Sequence, residues 1–107
     1  MLLSWAAGKP VVGPMQTFAE GVATRVPFEN TQRIMRQYLD DFVMVPDRAI
    51  ETAILLLLEQ THNLAEGAGA IPLAAALQIK ERLAGKKVVL VMSGGNLALS
   101  ELQRLLS

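Results

Sequence analysis

Only two short stretches of this chain read as β-strands, and every other regular stretch reads as helix. The first, Phe42-Val43-Met44-Val45, is an apolar run stopped by Pro46, whose ring disfavours helix in the residue before it. The second, Val88-Val89-Leu90-Val91-Met92, is rich in β-branched residues and does not alternate. That pattern belongs to a strand covered on both faces, as in parallel sheets. Two parallel strands joined through helices leave edges unpaired and cannot bury both sheet faces. The expected fold is therefore α/β, a partial parallel sheet with flanking helices in the order α-β-α-α-β-α, like a piece of a larger sheet.

The helices follow from spacing. Residues 1–30 read as an irregular N-terminal segment, because Gly8, Pro10, Gly13, Pro14, Gly21 and Pro27 fall too close together for a long element. Residues 31–107 read as the α/β part. A helix over Thr31–Leu39 would be capped by Asn30, whose side-chain oxygen suits an orphan backbone N–H, and would bury Ile34 and Tyr38. Asp47 starts a helix that reaches about Asn63. Its stripe of Ile50, Ala53, Ile54, Leu57 and Leu58 has the i, i+3, i+4, i+7, i+8 spacing of one helical face. Glu66 to Ala70 reads as a glycine-punctuated turn, followed by a helix over Ile71–Leu83 with Pro72 in its first turn and Gly85 at its end. A last helix over Leu97–Leu106 places Leu99, Leu102 and Leu106 on one side.

Composition narrows the function classes. Hydrophobic residues make up 51% of the 107 and charged residues 19%, below the roughly one quarter usual for soluble domains. A domain this small needs proportionally more polar surface, so the surplus implies apolar surface that meets another chain or a further segment. Ten basic side chains balance ten acidic ones, and the largest basic cluster is Lys86-Lys87, which speaks against nucleic-acid and anionic-membrane partners. With no cysteine there is no disulfide framework, which fits a cytoplasmic protein. The longest apolar run, Ala53 to Leu58, is far short of the ~20 residues that span a bilayer, and Met1–Trp5 is too short for a secretory leader.

Few residues are placed for chemistry. Ser93-Gly94-Gly95-Asn96 follows the second strand, where open α/β sheets bind ligands and glycine lets backbone approach a cofactor. On spacing alone an ordinary strand-to-helix turn explains it as well, because neither GxGxxG nor GxxxxGK[ST] is present. Glu66, between helices and beside Gly67 and Gly69, is by itself an exposed junction acid. His62 is the only histidine and reads as a helix C-terminal residue, where a partly positive ring complements the dipole. No metal set is expected.

Taken in order, Thr17-Phe18-Ala19-Glu20-Gly21, Tyr38-Leu39-Asp40-Asp41-Phe42-Val43, Leu56-Leu57-Leu58-Glu59, Ala65-Glu66-Gly67-Ala68-Gly69-Ala70 and Ser93-Gly94-Gly95-Asn96 resemble the threonine/serine dehydratases. These are fold-type II enzymes of pyridoxal 5'-phosphate (PLP), related to serine racemase and the tryptophan synthase β chain. The resemblance runs from about Ser4 onward and matches the C-terminal part of such an enzyme. It implies that the Ser93 hydroxyl faces the pyridine nitrogen of PLP and that Gly94 leaves room beside the ring. It further implies that Gly21 lies against the cofactor through its backbone and that Glu66 sits near the ring. Asn96 matches a position that contacts AMP in catabolic members. The family usually has Asp where Glu20 stands.

The same resemblance implies what the chain lacks. The family's Schiff-base lysine, its serine-glycine-asparagine loop and its glycine-rich phosphate cradle belong to the N-terminal two thirds. The lysines here, Lys9, Lys80, Lys86 and Lys87, match no such motif. No catalytic residue is therefore expected, and the chain alone should neither hold PLP nor turn over an amino acid. Its expected partner is the missing N-terminal part of the enzyme or a second copy of itself. Two other classes fit the residues without the resemblance: a non-catalytic assembly module, and a small domain that binds a nucleotide or phosphate at residues 93–96.

Overall fold

The computed structural model describes residues 2–9, 17–22, 24 and 26–107. Pro10, Gly13 and Pro14, on which the expectation of an irregular opening partly rested, lie outside the described residues. The chain divides into two compact units, residues 1–17 with 22–43, and residues 18–21 with 44–107.

In the first unit, helix α1 (Leu2–Ala7) packs with α2 (Glu29–Tyr38), so the opening is not wholly irregular. A 3-10 turn at Glu20–Val22 adds a second regular piece to that stretch. Asn30 does not cap α2. Phe28 takes that place with extended backbone, and the acidic Glu29 opens the helix where its charge complements the dipole. The Asn30 Oδ1 instead accepts from Arg33 Nη2 at 2.8 Å. The face of α2 that is covered is also not the apolar one. Gln32 is buried and Arg36, one turn on, donates to the Ser4 carbonyl at 3.4 Å, whereas Ile34 and Tyr38 are exposed. Trp5 and Phe42 meet in a tilted ring pair with centroids 5.9 Å apart.

The second unit is built on α3 (Asp47–Thr61) and α4 (Gly67–Gln78), the helix pair in most extensive contact. The sequence stripe is the one that packs: Ile50, Ala53 and Ile54 are buried and Leu57 lies against them. Each fully buried isoleucine contributes about 1.5–3 kcal/mol relative to an exposed one. The facing residues of α4, Ala70 and Ala74, are small, and Ala19 and Ala65 complete the core. His62 ends α3 in the left-handed region at φ 58°, donating its N–H to the Leu58 carbonyl at 3.0 Å.

Helix α4 starts four residues earlier than the glycines suggested. Gly67 and Gly69 form its first turn because close neighbours leave no space for a side chain there. A Cβ on Gly67 would lie 2.8 Å from that of Ala19, and one on Gly69 would lie 2.5 Å from the Gly94 carbonyl oxygen. Pro72 consequently stands inside the helix rather than in its first turn. The expected run to Leu83 breaks after Gln78, and the short α5 (Lys80–Leu83) follows. Gly85 then turns the chain with φ 74°.

Among the described residues no strand forms. Phe42–Val45 and Val88–Met92 take no regular secondary structure, since a strand is defined by a ladder and neither finds a neighbour to make one. The second segment keeps the alternation of an extended chain with one side turned inward. Val89 and Val91 are 89% and 69% exposed, against 42–45% for Val88, Leu90 and Met92. Its ends are tied to opposite ends of the helical run. The Lys86 N–H donates to the Leu83 carbonyl at 3.0 Å, and the Gly94 carbonyl accepts from the Glu66 N–H at 3.1 Å. The segment therefore runs back beside α4, whose length is about 18 Å, over about 20 Å of extended chain.

The last helix, α6 (Leu99–Leu106), turns a different side inward from the one expected. Leu105, with Leu97 before the helix, packs on the core, and of the expected row Leu102 is half-buried while Leu99 and Leu106 are exposed. On the same helix Arg104 reaches Glu51 on α3 at 2.8 Å and Glu101 within its own helix. No helix among the described residues is long and apolar enough to cross a membrane.

Candidate functional site

Three pieces of the second unit converge at the start of α4. The first is the junction itself, Leu64 to Gly69, where Glu66 occupies the N-cap position with extended backbone. The second is the loop after the extended segment. Glu66 donates its N–H to the Gly94 carbonyl at 3.1 Å, and its carboxylate fills the place that a side chain on Gly94 would take. Gly95 is equally constrained, since a Cβ there would lie 2.5 Å from the Leu64 carbonyl oxygen. Glycine at 94 thus makes room for the Glu66 carboxylate, and glycine at 95 for the close approach of the Leu64 backbone.

The third piece is the strap Phe18–Gly21. Ala19 is buried beneath Gly67, and a Cβ on Gly21 would fall 2.9 Å from that of Ala68. Two side chains hold the strap. The Asp47 carboxylate, at the start of α3, accepts from the Phe18 N–H at 3.2 Å. The Arg104 guanidinium stands over the Phe18 ring, 5.7 Å from its centroid, within cation–π range. Hydrogen bonds to Glu101 and Glu51 push the Arg104 pKa upward, and Arg104 in turn holds the Glu101 carboxyl below its ordinary range.

The structure therefore brings Glu66, Gly94 and, through Ala68, Gly21 into one cluster. Ser93 stands exposed at its edge, next to Gly94, and Asn96 is exposed two residues beyond. His62 is exposed at the end of α3 and belongs to a different feature. Asp47 and Arg104 were not singled out by sequence reasoning, because neither is near the strap in the chain. The aromatic Phe18, in the same short run as Gly21, was the available signal for an anchored strap.

The polar side chains at and near the cluster are the Glu66 carboxylate, the Ser93 hydroxyl at its edge and the Asn96 carboxamide beyond it. Such a set suits a heteroaromatic ring nitrogen and its substituents better than a phosphate dianion, which calls for cations or a ring of free N–H donors. Among the described residues no three of His, Cys, Asp and Glu gather as a metal-binding group.

The family model of pyridoxal-phosphate dependent enzymes matches residues 1–94. The L-threonine ammonia-lyase of Thermotoga maritima is 41% identical over 100 residues, which are 94% of this chain and 23% of the relative. Among solved structures, the T.th. threonine deaminase superposes with a TM-score of 0.83 at 35% identity, covering 91% of this chain and 33% of that one. Maize serine racemase gives 0.82 at 32% identity, over 97% and 34% of the two chains. The chain spans about a quarter of the length of the curated relatives it matches.

Proposed function

The chain belongs to the pyridoxal-phosphate dependent enzyme family, and from that premise we propose that it is the C-terminal part of an L-threonine/L-serine ammonia-lyase. It lines the pyridine side of the cofactor and is inactive by itself. The observation that supports this reading most is the hydrogen bond from Glu66 to Gly94. It draws an acidic side chain, a hydroxyl and a glycine-rich loop to one edge.

The donor set fits the ring end of PLP. Ser93 would hold the ring nitrogen through its hydroxyl, Glu66 would lie beside the ring, and Gly21 would present backbone to it. What the cofactor supplies when bound is an electron sink for the carbons of an amino acid. A neutral hydroxyl at the ring nitrogen moderates that withdrawal more than a carboxylate would, which suits loss of a β-hydroxyl. Gly94, pinned by the Glu66 N–H, fixes Ser93 at the edge. The amine that bonds the cofactor and the cradle for its phosphate come, in this reading, from the rest of the protein. So do the strands that pair with residues 42–45 and 88–92 in a parallel sheet. A cytoplasmic location goes with this reading, since the sequence has no cysteine to form disulfides.

A chimera tests the reading. The matching segment of the Thermotoga maritima enzyme is replaced by this chain, and ammonia release from L-threonine is measured. The chimera is expected to be active, and Ser93→Ala to lower kcat at least about tenfold, the scale of one lost charge-stabilising contact. A chimera that folds and binds PLP but releases no ammonia would overturn it, as would ammonia release by the 107-residue chain alone. The bare apolar segment 88–92 favours one other reading, a non-catalytic assembly module, and the inactive chimera is its expected result.

A further inference from the structure

Phe18 is held by groups that lie far from it in the chain. Its N–H donates to the Asp47 carboxylate at 3.2 Å. Its ring edge lies against the first turn of α4, with Cε2 only 3.2 Å from the place a Cβ on Gly67 would take. The Arg104 guanidinium covers the ring, 5.7 Å from its centroid. Asp47 and Glu51 stand one turn apart on the same face of α3. That face therefore takes the Phe18 backbone directly and the Phe18 ring through Arg104. We infer that Arg104 is a positioning residue: by fixing the Phe18 ring it sets where the strap presents the Gly21 backbone. The inference rests on the reading that Gly21 lies against PLP.

The contacts of Arg104 suit it to this task. Glu101 Oε1 accepts from Arg104 Nε at 2.9 Å, and Glu51 Oε1 accepts from Nη2 at 2.8 Å. Both carboxylates meet N–H groups that lie in the guanidinium plane, which leaves its face to the ring. A lysine carries the charge but has neither plane nor fork. The hold is passed along the strap. Only Ala19 and Glu20 separate Phe18 from Gly21. Ala19 lies under Gly67, and a Cβ on Gly21 would be 2.9 Å from that of Ala68. A Phe18 that swings away from Gly67 takes Ala19 with it and lets Gly21 leave Ala68. Gly67 and Ala68 directly follow Glu66, so the strap keeps its place beside Glu66 and Gly94 only while Phe18 is held.

Two measurements test the hold and its consequence separately. In the 107-residue chain, Arg104→Gln is expected to speed amide exchange of the Phe18 N–H about two- to fivefold, the scale of one exposed cation–π contact. In the chimera with the Thermotoga maritima enzyme, the same change should weaken PLP binding by a similar factor in equilibrium dialysis. It should also reduce the visible circular dichroism of the bound cofactor, and Arg104→Lys should restore part of both. Phe18→Leu keeps apolar bulk but removes the ring face, so adding Arg104→Gln to it should change nothing further. Should Phe18→Leu fail to fold, Phe18→Tyr, which keeps the face, must behave as the parent. Ala76→Gly weakens α4 near its far end and should lower the melting temperature while leaving the cofactor dichroism as it was. Unchanged exchange in Arg104→Gln would overturn the inference. So would unchanged affinity and dichroism in a chimera whose parent binds PLP, or an equal loss of dichroism in Ala76→Gly. A parent chimera that folds without binding PLP would instead sink the cofactor reading, and this inference with it.

Discussion

The α3–α4 pair and the segment beside it are equally apolar, yet one is finished and the other is not. Where α3 meets α4, small residues let the helices approach and the isoleucines of α3 lose nearly all contact with water. Along Val88–Met92 the side chains are larger than those alanines and still stand in water. Apolar composition alone therefore does not make a core. What separates the two regions is that helices satisfy their own backbone, whereas an extended segment needs neighbours before burial can begin.

The contrast can be broken by mutation. Ile54→Ala is expected to lower stability by about 3–4 kcal/mol through loss of transfer energy and an unfilled cavity. In the dilute chain Val89→Ala should change it by less than ~0.5 kcal/mol. Urea titration of both variants checks this, and equal losses would mean that the segment is covered after all. Gly69→Val comes next, at about 2–3 kcal/mol, because its side chain meets the Gly94 carbonyl and has no flexible neighbour to displace. A melt unchanged from that of the parent would separate the loop from α4.

Two smaller effects sharpen the finished side. His62→Gly is expected to raise stability by about 1 kcal/mol, since φ 58° costs an L-residue what glycine avoids. The smallest effect is electrostatic. Arg104 lowers the Glu101 pKa, so the stabilisation is present above the ordinary carboxylate range and is lost as pH falls through the lowered value. Glu101→Gln should therefore be slightly less stable than the parent at neutral pH and indistinguishable from it in strong acid. Both groups are exposed, which keeps the difference small.

How far the residues alone reveal this arrangement depends on whether an interaction is local. The stripe on α3 and its start at Asp47 were legible, because helical periodicity is written within the helix. The start of α4 was not, since Gly67 and Gly69 look like a turn until Ala19 and Gly94 are seen to press on them. On α6, Leu99, Leu102 and Leu106 share a side in the sequence, and only the core built by distant residues shows that Leu105 packs while Leu99 and Leu106 stay exposed. The grouping of Gly21, Glu66 and Gly94 was accessible only through resemblance, and the hold of Asp47 and Arg104 on the strap through neither route.

The return of the chain beside α4 works as a ruler with two different scales. A helix advances about 1.5 Å per residue and an extended chain about 3.3 Å, so lengthening α4 by two residues calls for one more between Lys87 and Ser93. One added residue in an extended chain reverses which side chains point inward from there on. Insertions here cannot be absorbed singly: they must come as four residues in the helix with two in the segment, or Ser93 and Glu66 drift out of step.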